Sequence, residues 1–131
     1  EVEKMSQKIG FTYPRGIEVV NAPADAGVRS HIETFQRLIE KVEDNDKLYA
    51  CMTYGVKPLS QILIMAIQYA YRLLDNASIC CLVYGQPGWG GAAPSVNDMT
   101  ALIQMDEITR LLAEHKVKNP RTVIEKIISQ D

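Results

Sequence analysis

The chain has 131 residues, of which 47% are hydrophobic and 23% charged, with a formal net charge of -2 at pH 7. Such a length makes one domain with a real core and leaves little room for a second. The acidic balance excludes a surface built to coat duplex DNA, which needs clustered Lys and Arg in excess, but a small anionic ligand asks for only one or two local cations.

Residues 1–16 mix charges with Gly10, Pro14 and Gly16 and read as a loosely structured lead-in, with a short edge strand open at 9–13. Residues 16–21 are a β-branched run ended by Asn-Ala-Pro, the pattern of a strand and its turn. Asp25 is placed to cap an amphipathic helix over 28–42, where Val28, Ile32, Phe35, Leu38, Ile39 and Val42 recur at steps of three and four. Glu43-Asp-Asn-Asp46 breaks it, and 48–52 is an apolar run of strand length. The helix that begins at Leu59 and ends at Leu74 is apolar nearly all round, which in a small domain predicts a subunit contact. A third strand spans 78–84, and 85–97 reads as a long glycine and proline loop with the character of a flap. Asn97 or Asp98 caps a helix carrying Leu102, Met105, Ile108, Leu111 and Leu112, and a last helix covers 121–129.

Buried strands alternating with helices specify an α/β fold, a Rossmann-like three-layer sandwich with a mainly parallel sheet and helices on both faces. The loops after Val20, Met52 and Tyr84 then meet at one edge, where open α/β sheets bind ligands. The three cysteines, two adjacent at Cys80 and Cys81, form no disulfide framework and no Cys-x-x-Cys metal pattern; they read as reduced core thiols of a cytoplasmic protein. The longest apolar run, 62–67, is far too short to span a bilayer, no signal peptide is visible, and a start at Glu1 leaves open a fragment lacking its first strand.

The most informative stretch is 48–60, a strand running into a glycine turn, a cation and a proline-started helix. Pro58 suits the first helical turn, and the N–H groups of Leu59, Ser60 and Gln61 begin the helix without partners, so phosphate or carboxylate is attracted there. Gly55 allows close approach, Thr53 and Ser60 offer hydroxyls, Lys57 carries the charge, and Tyr54 or Trp89 can stack on a base. The bland reading of the same residues is an ordinary strand-to-helix turn. Asp25 and Arg29 fit a simple surface pair. No cofactor fingerprint and no metal spacing is found, and no catalytic set: Arg110 and His115 match an Arg-x4-His spacing but read as surface residues of an amphipathic helix.

Cys-Met-Thr-Tyr-Gly-Val-Lys-Pro at 51–58, leading into an apolar helix, resembles the CRISPR-associated Rossmann-fold domain, CARF, and Asp98-Met-Thr is similar to the acidic, threonine-containing entry to a later helix in that family. The resemblance implies a homodimeric sensor in antiviral defence that binds cyclic oligoadenylate in a cleft across its two-fold axis, with Thr53, Gly55 and Lys57 inheriting a ligand-binding role. Cys51 stands where the motif usually has aspartate. The alternatives are a structural or dimerisation domain without ligand, and a ring-nuclease-like enzyme.

Overall fold

The computed structural model describes residues 2–10, 16–22, 27–53, 56–88 and 90–129. Along these the elements run α1 (Val2–Ile9), α2 (Val28–Ile39), β1 (Lys47–Cys51), α3 (Lys57–Leu73), β2 (Ser78–Gln86), β3 (Ser95–Asp98), α4 (Thr100–Glu114) and α5 (Pro120–Ile128). The chain is α/β, and its sheet has the order β1-β2-β3. β1 and β2 are parallel, joined through α3, while β2 and β3 are antiparallel, so the sheet is mixed rather than mainly parallel.

Three segments differ from the sequence reading. Residues 2–9 are helical where a loose lead-in was expected, and 11–13 of the open edge strand lie outside the described residues. Residues 16–21 are not a strand: Ile17 and Val19 are 63% and 78% exposed, and the segment lies along α2 through Lys41 Nζ and Glu18 at 2.6 Å and Arg37 Nη1 donating to Asn21 O at 3.0 Å. β-branched residues favour a pleated surface only when a neighbouring strand supplies one. The expected loop 85–97 instead carries the end of β2 and the first three residues of β3. Pro87 and Pro94, which have no N–H, bracket the turn between them, and Gly90 and Gly91 take φ of +60° and +90° there.

The core is small and lies on one face of the sheet. Ile67 of α3, Leu82 of β2 and Ile103 of α4 are 3%, 0% and 4% exposed, with Leu48, Ala50, Met52 and Ile79 packed around them. Ile79 and Leu82 are three apart, yet both join this cluster because the register shifts between Leu48 and Tyr49, resetting the alternation of side chains. Alternation sends Tyr49 and Cys51 to the opposite face, where Tyr49 is 74% exposed.

α3 is the central helix. It buries Ile62, Ala66, Ile67 and Ala70, while Met65 and Leu73 stay exposed. On one flank it meets α2, where the rings of Phe35 and Tyr69 contact edge to face at 6.4 Å. On the other flank it meets α4, where Asp106 Oδ2 accepts from Gln68 Nε2 at 2.9 Å, Tyr71 Oη at 2.7 Å and the guanidinium of Arg72. At the amino edge of the sheet, the turns before β1 and β2 interlock. Asn45 and Asn76 both have left-handed φ, of 68° and 56°; Asn76 Nδ2 donates to Asn45 Oδ1, and Asn45 N–H donates to Asp75 O.

Candidate functional site

At the carboxyl ends of β1 and β2 the chain forms a cleft of about 530 Å³, lined by Thr53, Tyr84, Gly85, Gln86, Pro87, Pro94, Ser95 and Val96. The position is where a parallel strand pair offers a crevice. The strand end after Met52 and the strand end after Tyr84 do converge here. No described residue of the first loop lines the cleft: Asn21 is held by Arg37, Arg29 pairs with Glu33 at 3.2 Å, and Asp25 lies outside the described residues.

Among the described residues, Thr53 is the one expected ligand residue in that lining, and its hydroxyl is already engaged. Thr53 Oγ1 accepts the Gly85 N–H at 2.7 Å and lies 3.0 Å from Cys51 Sγ. Gly85 N–H is the donor in the first contact, while in the second either the hydroxyl or the thiol can donate. The hydrogen bonds from the Thr53 side chain and backbone hold the Cys51 thiol below the usual thiol range. The close approach suits glycine at 85, because a Cβ there would sit 3.0 Å from Thr53 Oγ1 and press the threonine aside.

Thr100 does the same at the other side of β2. Its Oγ1 accepts the Leu82 N–H at 2.9 Å, and its own N–H and O–H both go to Asp98 Oδ1. These bonds, chiefly the side-chain one, lower the Asp98 pKa. Each threonine stands two residues past the end of a strand, Thr53 after Cys51 and Thr100 after Asp98, and supplies an oxygen where the neighbouring strand's carbonyls have run out. The two segments that carry the family resemblance therefore both finish the hydrogen bonding of β2. Threonine two places past a strand end is the sequence signal for that role.

Lys57 and Pro58 are the first two residues of α3, and Lys57 is exposed, but neither lines the cleft. The described lining carries no formal charge. Leu59 N–H, expected to be free, donates to Val56 O at 2.9 Å, and Ser60 is half-buried one turn into the helix. Tyr54, Gly55 and Trp89 lie outside the described residues. Gln86 and Ser95, opposite each other across the β2 and β3 pairing, are cleft residues that the sequence reading missed because it placed no strand at 95–98.

Among the described residues no group of His, Cys, Asp and Glu could hold a metal ion, and no helix is long and apolar enough to cross a membrane. Arg110 is engaged by Glu107 and Glu114, which hold it protonated, and His115 is exposed at the end of α4, in line with a surface reading of both. Cys51 and Cys80 are exposed, contrary to the expectation of core thiols, because the core occupies only the opposite face of the sheet.

A second apolar feature lies along α2 and α3. Two hollows of about 290 and about 150 Å³ share Phe35 and Met65, and around them Val28, Ile32 and Leu73 are 73%, 54% and 70% exposed. A scan against protein-family models and searches of curated proteins and solved structures find no match to this chain.

Proposed function

We propose that this chain is a self-assembling α/β module that completes its core by packing the α2 and α3 face against a second copy. The observation that carries the reading is the apolar groove itself, in which Val28, Ile32 and Leu73 stand mostly in water. Contiguous apolar surface of this kind marks an interaction site, and the continuity with α3, whose sequence has almost no wet face, supports a copy of the same chain as occupant. Sedimentation velocity at micromolar concentration on the native chain, Ile32→Glu and Leu73→Glu checks this. An assembly that both substitutions dissociate is expected, and a native monomer overturns the reading.

A second reading rests on the cleft at the carboxyl ends of β1 and β2 together with the likeness to CARF. In it the dimer is a Rossmann-like sensor that takes a cyclic oligoadenylate or related nucleotide, with Thr53, Tyr54, Gly55, Lys57, Ser60 and Trp89 as ligand residues and no cofactor. Calorimetry with cyclic tetra- and hexa-adenylate on the native protein and on Lys57→Ala decides it. Heat that Lys57→Ala abolishes supports the reading, and no heat with either ring size ends it. Prolonged incubation of the same ligands tests for ring cleavage.

A further inference from the structure

We propose that the open edge of β1 pairs antiparallel with the same edge of a second copy, about a two-fold axis at Tyr49, joining two three-stranded sheets into one. The inference goes beyond the α2 and α3 contact and does not depend on it.

The backbone directions along β1 define this edge. Ser78 N–H donates to Asp46 O at 2.9 Å and Met52 N–H donates to Val83 O at 3.0 Å, so Asp46, Leu48, Ala50 and Met52 turn their backbone groups toward β2. The residue that disturbs the register, Cys80, belongs to β2, which leaves the alternation along β1 unbroken. Lys47, Tyr49 and Cys51 therefore turn their N–H and C=O groups outward, and among the described residues β1 ends the sheet. Such a row is a template for another strand. The opposite edge is guarded, since β3 is four residues long, follows Pro94 and ends in Asp98. β1 contains no proline and one charge, at its first residue.

Self-complementarity singles out a second copy as the occupant. With Tyr49 opposite its own image, Lys47 of each copy falls opposite Cys51 of the other, and Leu48 falls opposite Ala50. All three outward residues then meet as hydrogen-bonded pairs, exchanging about six bonds. The side chains of Lys47, Tyr49 and Cys51 are exposed on one face. The register thus sets an ammonium opposite a thiol that Thr53 already makes easier to ionise, on both sides of the axis. A slip of two residues parts Lys47 from Cys51. On the other face Leu48 and Ala50, which pack against the core, carry the apolar layer across the axis.

The experiment treats the full chain at micromolar concentration with succinimidyl iodoacetate, a short amine-to-thiol reagent. Products are read by denaturing gel and peptide mass spectrometry, and mass in solution by light scattering. Within one chain Lys47 and Cys51 stand four residues apart along a strand, about 13 Å, which a reagent this short does not span. A Lys47 to Cys51 link in a dimer band therefore reports two copies. The same measurements are made on Cys51→Lys for mass and on Lys47→Glu combined with Cys51→Lys, each checked for native circular dichroism.

The native chain is expected to give the link. Cys51→Lys sets like charges opposite each other and should weaken association about tenfold, and adding Lys47→Glu should restore it. No Lys47 to Cys51 link in the native chain overturns the inference whether or not a variant folds. So does a folded double variant that associates no more tightly than Cys51→Lys; in either case the α2 and α3 contact is left to its own substitutions. A linked dimer that Ile32→Glu and Leu73→Glu do not dissociate supports the inference and overturns that contact instead.

Discussion

Thr53 shows how one side chain can be right in position and different in role. Its place after a strand, ahead of Lys57 and Pro58, reads as a ligand turn, but Gly85, the residue that engages it, is 32 positions away and invisible to local pattern. Thr53→Val keeps the shape and leaves the Gly85 N–H without its acceptor, so stability should fall by about 1–2 kcal/mol in urea unfolding, with Thr53→Ser near native. Tyr71 offers a titration. Burial first, then the hydrogen bond to Asp106 and its charge, push its phenol from 10.0 up to about 12. The folded state thus holds this proton more tightly than the unfolded one, so its contribution to stability is full below pH 10 and is lost as pH rises toward 12. Tyrosinate absorbance should show a late-titrating component that Asp106→Asn moves back down.

Among the elements, those with strong local periodicity or continuous apolar runs were legible. α2, β1, α3, β2 and α4 lie where the pattern predicts them, within a few residues at their ends. β3 was not, because a four-residue strand is too short to show alternation and becomes a strand only by pairing with the end of β2. The false strand at 16–21 is the converse case, a good β composition with no ladder to join. The interlocked turns before β1 and β2 give an element-scale prediction. Asn76 holds φ 56° and donates to Asn45, so Asn76→Ala should cost about 1–2 kcal/mol in thermal unfolding, while Asn76→Gly should cost less.

Across the whole molecule the limiting quantity is core size. Among the described residues the buried apolar side chains are Ile62, Ala66, Ile67, Ala70, Leu82 and Ile103, two of them alanine. Leu82→Ala should cost about 2–5 kcal/mol, a large share of the 5–15 typical of a domain, and calorimetry should find its melting transition lowered steeply or absent. The α/β class, the alternation of the main elements and the strand that enters α3 follow from sequence alone, because helical period, apolar runs and proline or glycine breaks act within a few residues. Tertiary structure decided that the sheet is mixed, that helices cover one of its faces, and that the threonines of the candidate site complete the hydrogen bonds of β2. The threonine bonds join residues 18 and 32 apart and the β2–β3 pairing joins residues 9 to 15 apart, separations that local pattern does not encode.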